Sequence, residues 1–178
     1  PYTKPFLRQV SAGANVVDIS LAKFDAPRIE PVLFANVEPY QGVSSTLLES
    51  ARTEHNSGVY VHVPRKTLTV DPIRIEYLLD ADNDVVNDYN VVIAEENSRV
   101  TIVVDYASAD DTAAVHNGLF EIYAKAGSQV TIVKVQRLNS VTHHFDSHLA
   151  HIADGAQVNF VQVEFGGLAS ITNYHNNL

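Results

Sequence analysis

Apolar and polar residues alternate through the second half of the chain, and the alternation is written three times. The first copy is Ala94-Glu95-Glu96-Asn97-Ser98-Arg99-Val100-Thr101-Ile102-Val103. The second is Ala124-Lys125-Ala126-Gly127-Ser128-Gln129-Val130-Thr131-Ile132-Val133. The third is Ile152-Ala153-Asp154-Gly155-Ala156-Gln157-Val158-Asn159-Phe160-Val161. In the first, Val100, Ile102 and Val104 alternate with Thr101 and Asp105, the period of two that marks a strand. Asn97, Gly127 and Gly155 share one turn position, where a positive φ is cheap for Gly and tolerable for Asn. The equivalent valines Val100, Val130 and Val158 are 30 and 28 residues apart. Self-similarity at such a period points to stacked repeats. Stacking puts Val100 over Val130 over Val158, and Ile102 over Ile132 over Phe160. Each side chain so buried contributes roughly 1.5–3 kcal/mol. The pattern predicts an all-β fold, a β-solenoid of the parallel β-helix kind. The competing arrangement is a β-sandwich with three coincidentally similar strands. Positions 103, 133 and 161 are apolar as well, so the apolar phase slips once per repeat. The slip predicts a bend or bulge that re-aims each strand.

The rest of the chain divides around this core. Residues 58–178 read as the β-helix core, truncated at its C-terminal end. Residues 1–57 read as a variable N-terminal segment with one short helix and possible early coils. Ser44 to Arg52 is the helix candidate, with Ser44 or Ser45 as N-cap and Leu47, Leu48 and Ala51 on one face. Gly13 to Ile19 echoes the turn-plus-strand of the repeats. Pro27, Pro31 and Pro39 punctuate short apolar runs such as Val32-Leu33-Phe34, which read as edge strands or irregular segments. Val59 to Val63 is an alternating strand stopped by Pro64. Leu68-Thr69-Val70 and Ile73-Arg74-Ile75 follow. Leu68 lies 32 residues before Val100 and suggests an earlier coil in that register. Asp80-Ala81-Asp82-Asn83-Asp84 and Ala107 to Thr112 are polar insertions of the sort that map to loops.

Composition narrows the function. The formal net charge of −9 argues against phosphate-rich partners, which need clustered Lys and Arg. No apolar run approaches the ~20 residues of a membrane helix. With no Cys, neither a disulfide nor a thiolate ligand can form within these residues. The chain starts at Pro1, has no Met, and ends after a fresh β-run, so it is expected to be a fragment of a longer protein.

Four of the eight histidines fall between His143 and His151. On a strand His144, Asp146 and His148 share a face, and two imidazoles with a carboxylate can bind Zn or Fe(II). The plainer reading is the polar face of a sheet, with His143 and His151 on its other side. Glu95-Glu96 and Asp110-Asp111 are the acidic pairs that a β-helix polysaccharide lyase or hydrolase would be built around. They fall in turns, where solvated acid is the ordinary outcome. GxSxG, Walker A and GxGxxG sequences are absent. No catalytic, cofactor-binding or metal-ligating residue is assigned.

At this point a family resemblance enters. The strand from Gly58 to Pro64 with Pro72-Ile73 after it, the run from Val92 to Ile102, His116-Asn117-Gly118, Glu121-Ile122-Tyr123, His143-His144-Phe145 and Gly166-Gly167 resemble, in order and spacing, the SufB/SufD family of iron–sulfur cluster assembly proteins. The likeness covers about residues 56–178. It implies a right-handed parallel β-helix in a cytoplasmic scaffold complex with a SufB-like subunit and a SufC-like ATPase, and a possible homodimer. It implies a non-catalytic role. The SufD branch is the nearer one: SufB-like chains usually carry Cys where Asp105-Tyr106 follows the strand, and Ala-Ala where Asn117-Gly118 stands. The family's cluster- and sulfur-handling residues and its SufC-docking region are expected beyond Leu178.

Overall fold

A computed structural model describes residues 6–9, 13–19 and 45–178. The strands expected around Pro27, Pro31, Pro39 and Val32-Leu33-Phe34 lie outside these residues. The elements are β1 (Phe6–Gln9), β2 (Asn15–Asp18), α1 (Ser45–Thr53), β3 (Val59–Val63), β4 (Ile73–Leu79), β5 (Val85–Ala94), β6 (Arg99–Ser108), β7 (Val115–Ala124), β8 (Gln129–Arg137), β9 (His143–Ile152), β10 (Gln157–Glu164) and β11 (Ala169–Asn177).

The alternating runs form two sheets, of order β1-β4-β6-β8-β10 and β11-β9-β7-β5-β3-β2. From β3 onward successive strands alternate between the sheets, so each turn of the coil adds one strand to each. Neighbours in a sheet run parallel. The exceptions are β1 on β4 and β2 on β3, which are antiparallel. The fold is a parallel β-solenoid. The predicted columns are present: Val100 pairs with Val130 and Val130 with Val158, while Ile102 pairs with Ile132 and Ile132 with Phe160. Val100, Val104 and Ile132 are buried among the inward residues of both sheets.

Two expectations need correction. The apolar phase slip is not a bulge: β6, β8 and β10 pair in continuous register through Val103, Val133 and Val161. Val103 and Val133 face outward between buried neighbours, and Val161 in the same row is 48% exposed. A β-branched residue on the solvent face still suits a strand, so an apolar position need not be an inward one. The earlier coil exists, but not in the register of Leu68. Its strand is β4, which places Ile73 beside Ile102. Leu68 makes an isolated bridge to Arg99 and is 62% exposed.

Short turns at one edge carry the sheets into each other. Asn97, Gly127 and Gly155 have φ of 57°, 69° and 68°, as the turn chemistry requires, and Lys66 joins them at 60°. These turns stack by backbone bonds: Lys66 N–H donates to Glu96 O, Asn97 N–H to Ala126 O, and Gly127 N–H to Asp154 O.

α1 covers part of the outer face of the second sheet. Ala51 and Leu48 pack on Tyr89, Val91, Leu119 and Leu149. The C-terminal end of the helix is tied to the sheet. Asn87 Nδ2 donates to the carbonyls of Ser50 and Glu54 at 3.0 Å each. Arg52 pairs with Glu121, which also accepts the Tyr89 hydroxyl at 2.5 Å. β1 and β2 cover one end of the stack; β10 and β11 are the edge strands at the other.

Candidate functional site

The period of two that builds β9 turns His144, Asp146 and His148 into the coil, where they are at most 1% exposed. This is the shared face expected of them. His143 and His151 lie outside, half-buried, His143 near Phe145 and His151 stacked on Tyr123. Parallel pairing sets His116 beside His144, and Gly118 between Asp88 and Asp146. The facing sheet contributes Tyr77, Tyr106 and Lys134, all buried. Continuing the inward parity of Val130 and Ile132 by two residues reaches Lys134, and by two more Gln136. Lys134, Gln136, Asp88 and Tyr106 are not among the candidate site residues named from the sequence.

The result is a polar cluster within an apolar solenoid. Lys134 Nζ donates to both oxygens of Asp146, at 2.7 and 2.6 Å, and lies 4.1 Å from the centre of the Phe120 ring. His148 Nε2 lies 3.2 Å from Asp146 Oδ2. Asp88 accepts from Asn90 Nδ2, from the Tyr106 hydroxyl at 3.4 Å and from His116 Nε2 at 2.6 Å. With Nε2 donating to Asp88, His116 Nδ1 is left to accept from His144 Nδ1, 2.7 Å away. Tyr77 donates to Asn90 Oδ1 at 2.6 Å. A Cβ on Gly118 would sit 2.8 Å from His116 Cε1 and 3.0 Å from Asp146 Oδ1. Glycine at this strand position thus makes room for the cluster.

Burial and the neighbouring His116 push His144 down to about 3. Burial and Lys134 lower His148, and Lys134 holds the fully buried Asp146 far below the usual carboxylate range against its desolvation. These directions set a pH dependence. A histidine whose folded value is depressed binds its proton more readily in the unfolded chain. Stability is therefore complete above the unfolded value near 6.5 and falls as pH drops below it. At pH 5, His144 alone should remove about 2 kcal/mol relative to pH 7.5. Asp146 adds a further loss below the unfolded carboxylate value near 4. Urea melts at pH 7.5, 6 and 5 check this; a midpoint independent of pH over that range would contradict it.

As a metal triad, His144, Asp146 and His148 do not converge. Asp146 is engaged by Lys134, and His144 Nδ1 by His116. Among the described residues no group of three or more His, Cys, Asp or Glu is arranged to hold a metal ion. Three members of the acidic pairs have partners within the fold. Glu95 is bound by Lys125 at 2.9 Å, Glu96 by Arg65 at 3.1 Å, and Asp110 accepts the Thr112 N–H in its own loop. What the interior can do chemically is hold fixed charges and neutral imidazoles in register, away from water.

The family model of the SufBD core domain, of SUF system FeS cluster assembly, matches residues 77–178. A relative named iron-sulfur cluster assembly SufBD family protein MTH1150 homolog, from Methanothermobacter thermautotrophicus (strain Winter), is 29% identical over 93 residues. A SufBD family protein from the Delta H strain of the same species is 29% identical over 93 residues too. Each match covers 52% of this chain and 22% of the relative. The family match takes in β5 through β11 and the polar cluster they enclose, and the chain belongs to the SufBD core domain family of the SUF system of iron–sulfur cluster assembly.

Proposed function

We propose that this solenoid serves as a scaffold or interaction subunit of a cytoplasmic SUF-type iron–sulfur cluster assembly complex and is not itself a catalyst. The observation that carries the reading is the family match over residues 77–178. The interior supports the non-catalytic part. The buried carboxylates Asp88 and Asp146 inside the coil, and Glu121 beneath α1, are each held by donors, so none is poised toward a substrate. No helix among the described residues is long and apolar enough to cross a membrane.

The SufD-like branch is favoured at two positions, Asp105-Tyr106 and Asn117-Gly118. Where SufB-like chains usually carry Cys, Asp105 pairs outward with Arg137 at 2.5 Å and Tyr106 points into the polar cluster. The reading puts partner contact on the C-terminal coils of the full-length protein, where the edges of β10 and β11 are covered by further residues of the same protein or by another subunit. Phe165, Leu168, Ile171 and Tyr174 are exposed around them. Strand addition there would supply main-chain hydrogen bonds and cover this apolar surface. The partners are a SufB-like subunit, with a SufC-like ATPase, or a second copy of the chain.

The test is co-purification of the tagged protein with SufB-like and SufC-like subunits, followed by iron–sulfur reconstitution on each combination. Cluster assembly only with the partners present is the expected result. A protein that ignores both partners, or that turns over a glycan unaided, would overturn the reading.

A further inference from the structure

Where the first sheet gives way to the second, the corner of the coil is built from stacked loops. Residues 80–84 form the first and residues 109–114 the second. Ala109 N–H donates to Leu79 O and Val115 N–H to Asp84 O, so the second loop lies on the first at both its ends. From the next loop, Asn139 Nδ2 donates to the carbonyls of Asp110 and Thr112 at 2.9 and 2.8 Å. Asp80, Asp82, Asp84, Asp110 and Asp111 fall in the two loops, which contain no Lys or Arg, on a chain of net charge −9. Asp80 and Asp110 shape the loops: they accept the N–H groups of Asn83 and Thr112, each at 2.9 Å. Asp82, Asp84 and Asp111 are exposed. Among the described residues no ion pair involves any of the five.

Beside these loops the outer face of the second sheet carries an apolar row. Val85 and Val115 are register partners, 52% and 39% exposed, and His143 continues the row. Val141, just before His143, is 40% exposed. α1 stops one row short: Asn87 and Asn117, two residues along, hold its backbone. The row is thus bounded by α1 on one side and by the aspartates on the other. It runs along the coil axis, with about 4.7–4.9 Å between coils. In an α-helix, residues three and four apart are separated by about 4.5 and 6 Å along the axis. An amphipathic helix laid along the coil axis therefore matches the coil spacing with two of its faces. Its apolar stripe meets the valines, and Lys or Arg on the flank meets Asp82, Asp84 and Asp111. An acidic helix is repelled by those three carboxylates, and a purely basic one leaves the valines in water.

We propose that this corner docks a basic amphipathic helix of a partner protein, with its apolar stripe on Val85, Val115 and Val141 and its cations on Asp82, Asp84 and Asp111. The proposal is independent of the assembly reading and concerns a different part of the solenoid from the edges of β10 and β11.

The test is a fluorescence-anisotropy titration of the chain with a labelled peptide of about 14 residues, leucine and lysine at amphipathic helical spacing. Two relatives serve as comparisons, one with glutamate for every lysine and one with serine for every leucine. Saturable one-to-one binding of the leucine–lysine peptide is expected, at least about tenfold tighter than either relative. The triple variant Asp82→Asn/Asp84→Asn/Asp111→Asn should weaken it by about tenfold or more, and Val115→Ser by about threefold or more, in proteins that keep the wild-type melting curve. Asp154→Asn and Val161→Ser, both away from the corner, should leave it unchanged. Amide shift mapping on the unaltered protein gives a second reading that needs no variant, with changes centred on residues 82–85 and 111–115. No saturable binding, equal affinity for the serine–lysine peptide, equal weakening by Asp154→Asn, or shifts centred on Phe165 and Leu168 would each overturn the proposal. So would displacement of the peptide by calcium chloride beyond that by sodium chloride of equal ionic strength, which would make the loops a cation site.

Discussion

Lys134→Met is expected to destabilise the fold by about 3–5 kcal/mol, because it leaves the Asp146 carboxylate buried without its cation. Lys134 is 1% exposed and Asp146 is fully buried, so water cannot replace the lost partner. The loss should not be additive. In Lys134→Met/Asp146→Leu both charges are gone, and most of the stability should return. The return stays incomplete because His148 Nε2 loses the acceptor it has 3.2 Å away in Asp146. Urea melts of the two single variants and the double variant close the cycle. If the double variant is as unstable as the sum of the singles, the pair is not coupled as described.

Val130→Asp is the second large effect. Val130 is fully buried between Val100 and Val158, and a carboxylate there meets no donor from the column it interrupts. A loss of more than about 3 kcal/mol is expected from an unpaired buried charge. Thr131, one residue on, lies outside between Thr101 and Asn159 and is half-buried. Thr131→Asp should change stability by about 0.5 kcal/mol or a little more. Denaturant midpoints of the two variants compare the faces directly. Equal losses would mean that the strand's inward and outward faces are wrongly assigned.

The stacked core was legible because its signal is local and redundant. Val100, Val130 and Val158 each sit at the same offset from a turn residue, and Asn97, Gly127 and Gly155 adopt the backbone that the turn predicts. The β9 face was legible for the same reason, since parity alone puts His144, Asp146 and His148 together. What parity cannot tell is inward from outward when both faces carry valine. Val103, Val133 and Val161 therefore read as a bulge, although they lie on an unbroken outer face. Leu68 was misplaced because the alternating run Leu68-Thr69-Val70, just after a turn, looks like a strand start. The candidate site was only half visible. Asp88 and His116 reach β9 through register, and Lys134 reaches it across the coil. Both kinds of contact exist only once the coils are stacked.

The mixed character of the interior bears on how the coils find their order. Valine rungs are interchangeable: β8 would be as content against a copy of itself as against β6 or β10. The polar residues differ from rung to rung and so number the coils. Gly118 separates Asp88 from Asp146 in the second sheet. A chain that misthreaded by skipping β7 would lay β9 on β5 and bring those two carboxylates side by side, away from water, while parting His116 from Asp88. Such a product is penalised by buried like charges, whereas a purely aliphatic coil would tolerate it. The Lys134→Met/Asp146→Leu chain, close to native in equilibrium stability, should accordingly refold with additional slow phases as wrongly threaded coils unwind. Single-exponential refolding at the wild-type rate would show that the coils are ordered by something other than their charges.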